Sequence, residues 1–204
     1  MATVTTPPKQ PPIVNLPNIL TTARLVLAIV LFVLIPGGDW VPYNWLWCLL
    51  VFVAAAVTDY LDGYLARKQG LTSTLGRNFD PLVDKVLICG AYIFLLPVIP
   101  DEIAPWMVTV VVARELLITG LRGYMESQGV NFGADWLGKI KMGLQCAALI
   151  AIFTVKAFAW PEALGPFLTW VQTVLIYAMV AATALSGAQY LWKAAALVKR
   201  NRER

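Results

Sequence analysis

Histidine is absent from these 204 residues. That removes a phosphohistidine intermediate and a histidine general base from the chemistry open to the chain. Charged residues are also scarce, at 14% against about 25% in soluble domains, while 59% of residues are hydrophobic. With a mean hydropathy of +0.68, this balance excludes an ordinary soluble globule and indicates a bilayer protein. Cysteine is limited to Cys48, Cys89 and Cys146, each alone in an apolar stretch. Without metal-ligand spacing or a pairing pattern, they read as packing residues. The chain has no nucleophile elbow and no Walker-type phosphate loop. No internal repeat is visible, and nothing points to a nucleic-acid partner.

Long apolar runs are what the chain has instead. They fall at 19–36, 44–64, 82–99, 104–124, 141–160 and 167–191, each near the ~20 residues of a spanning helix. The expectation is an all-α integral membrane protein of six transmembrane helices. The segments "IPGGDWVPYNW" and "LPVIPDEIAPW" read as short turns between spans. The leading residues 1–14, with several prolines and no apolar core, read as a disordered lead-in, not a signal peptide. Residues 15–204 then form one membrane domain.

Lys and Arg are retained on the cytoplasmic side of membranes. Placing both termini there puts Lys9, Arg24, Arg67, Lys68, Arg77, Lys85, Arg122, Lys139, Lys141 and the basic C-terminal residues in or near cytoplasmic segments. Lys156 alone lies towards the outside, and Arg114 falls within a span. The outer turns carry Asp39, Asp101, Glu102 and Glu162. The basic end, "KAAALVKRNRER", suits a helix end against anionic headgroups or a plain topology signal.

Four carboxylates break the apolar pattern. Asp59 and Asp62 are three apart near the end of the second span, and Asp80 and Asp84 four apart at the start of the third. Both spacings put a pair on one helix face. Two antiparallel helices would bring all four to one place at the cytoplasmic side. Gathered carboxylates repel unless cations neutralise them or protons are retained. Oxygen ligands without Cys or His suit Mg²⁺ or Mn²⁺, and so many carboxylates suggest two ions. Gly63, Ala66, Gly70 and Gly76 remove bulk between them, and Arg67 adds a fork-shaped donor for phosphate oxygens. Such a set is suited to a phosphate or pyrophosphate.

The pattern Asp59, Asp62, Gly63, Ala66, Arg67, Gly76, Asp80, Asp84 covers 26 positions. It resembles the signature of the CDP-alcohol phosphotransferase family without departure. The resemblance implies a membrane enzyme, usually a homodimer of six-helix protomers, that moves a substituted phosphoryl group from a CDP-alcohol to an alcohol and releases CMP. "NLPNILTTARL", "FDPLVDKVL", "ARELLITGLR" and "LGKIKM" further resemble the branch of bacterial phosphatidylglycerophosphate synthases. Met142 departs from that branch, where a small polar residue is expected. The branch joins CDP-diacylglycerol to sn-glycerol 3-phosphate, which implies a bacterial inner-membrane protein with its active site facing the cytoplasm.

Carried over by position, the resemblance implies that Asp59, Asp62 and Asp80 are metal ligands, and Asp84 a further ligand and the base for the acceptor hydroxyl. Asn18, Thr21, Gly63, Ala66, Arg67, Ser73 and Gly76 match positions around the CDP group. A phosphorylated acceptor also needs cations, and Arg114, Arg122, Lys139 and Lys141 supply them. Arg114 and Arg122 lie about 80° apart around a helix, with Ile118 between them. A mid-span arginine is expensive unless it meets a ligand or an internal partner, and both remain open for Arg114. Glu115 could orient Arg122 or pair with neighbours of Arg114. Two rival readings also stay open: the same chemistry with another acceptor (phosphatidylglycerol or inositol phosphate), and a six-helix carrier whose carboxylates bind a transported cation.

Overall fold

The computed structural model describes residues 16–69, 74–127 and 136–202. Six α-helices follow in order: α1 (Leu16–Leu34), α2 (Asn44–Gln69), α3 (Thr74–Leu95), α4 (Pro105–Ser127), α5 (Trp136–Ala157) and α6 (Gly165–Arg202). Among the described residues there is no strand. Each apolar run of the sequence lies largely on one helix. The bounds differ most at α6, which continues to Arg202, and at α3, which starts at Thr74 and ends at Leu95, so the third run's last residues belong to the connection before α4. The expected disordered lead-in lies outside the described residues.

Among the described residues, three helical segments are long and apolar enough to cross a membrane: Ile19–Gly38, Trp136–Ala157 and Gly165–Ala196. The 38 residues of α6 would extend about 57 Å, well beyond a hydrocarbon core of about 30 Å. Its basic end therefore has length to spare outside lipid. The helices also turn apolar residues outward, among them Val33, Leu50, Leu116, Leu117 and Trp170. A soluble bundle would put polar groups there, whereas a lipid-facing surface needs none.

Between α1 and α2 the chain makes a 3₁₀ segment, Ile35–Trp40, with Gly38 at φ 45°. Tyr43 also takes a positive φ, 56°, immediately before α2 begins. That reversal lays α2 back along α1, and α3 packs on α1 from another side. Helix α5 packs on α2 and α6, while α4 rests on α6 and α3. Ala28, Leu31, Phe52, Ala91, Leu149 and Phe153 form part of the shared core. The Tyr92 hydroxyl donates to the Gln145 carbonyl at 3.0 Å and ties α3 to α5 inside it. Cys48, Cys89 and Cys146 are free thiols within the packed interior, as their isolation in sequence suggested.

Helices α1 and α3 approach closely at Gly90. A Cβ there would lie 2.1 Å from Phe32 Cζ, and the Phe32 ring is itself stacked on Phe94 at 5.0 Å. Gly90→Ala should therefore force the helices apart and cost about 1–3 kcal/mol. A lowered thermal unfolding temperature in detergent is the expected reading, and an unchanged one would show that the ring moves aside freely.

Candidate active site

Helix α1 contributes the residue that organises the site. Arg24 is 1% exposed, and its Nη1 donates to Asp84 Oδ1 at 2.7 Å. The same nitrogen pairs with Asp59 Oδ1 at 3.0 Å. One guanidinium thus joins a carboxylate of α2 to a carboxylate of α3. Arg24 counted in the sequence only as a topology residue. Its position inside the apolar run "TTARLVLAIV" was the available signal, since a charge there needs a partner. Thr21, one turn earlier on α1, is buried beside it at 7% exposure.

Along α2, position 62 lies one turn beyond Asp59, and along α3, position 80 lies one turn before Asp84. The backbone is thus compatible with four carboxylates at one end of the bundle. The side chains of Asp62, Gly63, Ala66, Arg67, Gly76 and Asp80 lie outside the described residues, as do that of Asn18 and all of Ser73. Among the described residues no group of three or more acidic, cysteine or histidine side chains assembles. The donors described nevertheless fit a hard divalent cation. They are carboxylate oxygens, and those of Asp59 and Asp84 already converge on one cationic nitrogen.

A second cluster lies on α4, α5 and α6. Glu115, 5% exposed, accepts from Arg114 Nη1 at 3.2 Å and from Lys141 Nζ. Arg114 Nη2 donates to Ser186 Oγ at 2.7 Å, and the guanidinium carbon stands 5.7 Å from the Tyr190 ring centroid. Helix α6 comes this near because residue 187 is glycine, whose absent Cβ would lie 3.2 Å from Arg114 Cγ. Glu115 therefore serves Arg114 and Lys141, and among the described residues it makes no bond to Arg122. Burial of Glu115 is a helix-packing outcome, as is its choice of Lys141, 26 residues away.

Arg122 is half-buried, and its Nε is shielded from solvent without a hydrogen-bond partner among the described residues. Lys139 is exposed in the first turn of α5, two residues before Lys141. Lys85, also half-buried, lies within electrostatic reach of both Asp84 and Glu115. Two cations, Arg114 and Lys141, thus bond one buried acid, with Lys85 within electrostatic reach of it and of Arg122, so positive charge exceeds negative here. Such an excess is suited to an anion.

The opposite end of the bundle has different contents. Lys156 pairs with Glu102 at 2.5 Å, and Gln172 donates to the same carboxylate. A cavity of about 340 Å³ there is lined by Gly38, Tyr43, Asn44, Lys156 and neighbours. Asn44 and Asp59 are both on α2, about 22 Å apart along its axis. The cavity is therefore remote from the aspartates.

The profile of the CDP-alcohol phosphatidyltransferase family matches residues 14–185. A CDP-diacylglycerol–glycerol-3-phosphate 3-phosphatidyltransferase of Bacillus subtilis (strain 168) is 38% identical over 149 residues, covering 68% of this chain and 76% of the relative. Proteins of the same name from Sodalis glossinidius and Rickettsia typhi are 36% and 35% identical. The first match covers 68% of this chain and 76% of the relative, the second 79% and 90%.

Proposed function

Since the chain belongs to the CDP-alcohol phosphatidyltransferase family, we propose that it transfers the phosphatidyl group of CDP-diacylglycerol to sn-glycerol 3-phosphate and releases CMP. Relatives bearing that activity in their names, at 35–38% identity over most of both chains, carry the reading. The convergence of Asp59 and Asp84 on Arg24 supports it independently. The chain is a multi-pass protein of the bacterial cytoplasmic membrane, with six spans, both termini and the aspartates at the cytoplasmic side. It works as a homodimer.

The reaction is an in-line displacement. The primary hydroxyl oxygen of glycerol 3-phosphate forms a bond to the phosphorus that bears diacylglycerol, and the bond from that phosphorus to the bridging oxygen of CMP breaks. Asp84 takes the hydroxyl proton. Asp59, Asp62, Asp80 and Asp84 would hold Mg²⁺ or Mn²⁺, two ions in the fullest form, whose chemistry is to neutralise the pyrophosphate and the departing CMP. Asn18, Thr21, Gly63, Ala66, Arg67, Ser73 and Gly76 surround the CDP group. The small residues allow close approach, and Arg67 takes phosphate oxygens bidentately. Arg114, Arg122, Lys139 and Lys141 receive the acceptor's phosphate, with Arg114 anchored by Glu115 and Ser186 so that its charge is pre-positioned. The acyl chains stay in lipid while the headgroup enters.

The test is CMP release by the detergent-purified chain from CDP-diacylglycerol, with and without glycerol 3-phosphate, and with Mg²⁺ or EDTA. Release that requires both acceptor and metal is expected. Release with phosphatidylglycerol or inositol phosphate but not with glycerol 3-phosphate would move the acceptor. No release from folded protein with any acceptor, together with cation flux in vesicles, would replace transfer by transport.

A further inference from the structure

The proposed transfer assigns Arg24 no chemical step, yet among the described residues it heads the fully buried side chains by volume. Its Nη1 holds Asp59 Oδ1 at 3.0 Å and Asp84 Oδ1 at 2.7 Å, so α1, α2 and α3 meet at one nitrogen. Burial of a cation at this depth is unfavourable unless acids surround it. Gathering carboxylates is equally unfavourable without a cation. Each group removes the penalty of the other. An arginine also cannot deprotonate to escape the arrangement, so the positive charge is permanent.

We infer that Arg24 is an internal counter-cation that sets how tightly the aspartate cluster binds divalent ions, holding the affinity below what the carboxylates alone would give. The inference rests on the reading of these aspartates as ligands of Mg²⁺ or Mn²⁺. Each carboxylate oxygen has lone pairs for both a guanidinium N–H and a metal ion. The two contacts can therefore coexist. Their charges nevertheless repel across a few ångströms in a site partly screened from water, where Coulomb terms are large. A positioning residue of this kind has a distinctive sign. Loss of a mere structural prop loosens the site and weakens ion binding, whereas loss of a competing charge strengthens it.

The experiment titrates Mn²⁺ into the full chain in detergent, reading the free-ion signal by electron paramagnetic resonance. Wild type, Arg24→Gln and Arg24→Lys are compared, each accepted as folded by circular dichroism and a single chromatographic peak. Arg24→Gln should lower the Mn²⁺ Kd on the order of tenfold. Arg24→Lys, which keeps the charge, should leave it near the wild-type value. An equal or higher Kd in folded Arg24→Gln overturns the inference while wild-type binding stands. Absence of Mn²⁺ binding by the wild type would overturn the ligand reading and this inference with it. Should Arg24→Gln not fold, the wild type labelled with ¹⁵N-arginine decides the matter. Mg²⁺ should shift the Arg24 guanidinium resonance, identified by its loss in Arg24→Lys, and an unmoved resonance overturns the proposal.

Discussion

Replacing Asp84 by asparagine is expected to lower CMP release by about 10²–10⁴-fold, the usual contribution of a positioned proton acceptor. The substitution is nearly isosteric, and the amide oxygen can still accept from Arg24 Nη1, which holds Asp84 Oδ1 at 2.7 Å. Packing of α1 on α3 should therefore survive, and unfolding temperature should change little. What is lost is the group proposed to take the acceptor's proton, along with one charge of the proposed ion-binding set. The two losses separate by experiment. If saturating Mn²⁺ restores the rate, Asp84 acts as a ligand only; if the rate stays low at saturation, the base role stands. An Asp84→Asn protein with full activity would remove the proposed mechanism altogether.

The second large effect concerns stability. Glu115→Gln leaves Arg114 and Lys141, whose side chains are 11% and 7% exposed, without their shared negative charge. Breaking a buried pair from one side costs about 3–5 kcal/mol, because the remaining charge is buried without compensation. The expected reading is a large fall in thermal unfolding temperature in detergent. Adding Lys141→Met should recover part of it, since one stranded cation is then gone. This coupling is what a double-mutant cycle isolates. Activity should not recover with it, because Lys141 is one of the cations proposed for the acceptor phosphate. If Lys141→Met gives no recovery, the cost lies in Arg114 and not in the pair with Lys141.

These expectations rest on residues that differ in how visible they were in the sequence. Spacing of three and four between acids is a local property. It survives in any helix, so the pairing of Asp59 with Asp62 and of Asp80 with Asp84 along single faces could be stated without a fold. Hydrophobic run length is local too, which is why all six helices fall close to their expected positions. Helix ends were less legible. At α3 the apolar run continues through Leu96, Pro97 and Val98, but the helix stops at Leu95, where Pro97 can neither donate to the previous turn nor admit a helical residue before it.

Partner choice was not legible at all. Arg24 looked like one basic residue among sixteen, and Glu115 had Arg122 as an acceptable partner two turns along the same helix face. Both were decided by contacts between helices: Arg24 bonds a residue 60 positions away and Glu115 one 26 away.

The sequence alone determined membrane character, the helical elements, and the carboxylate and cation types, because each follows from composition or from spacing within one helix. Only the tertiary structure decided which charge neutralises which. Coulomb energy depends on separation in space and on the surrounding dielectric, and both arise when α1 seats Arg24 between α2 and α3, and when α5 and α6 close over Glu115 and Arg114.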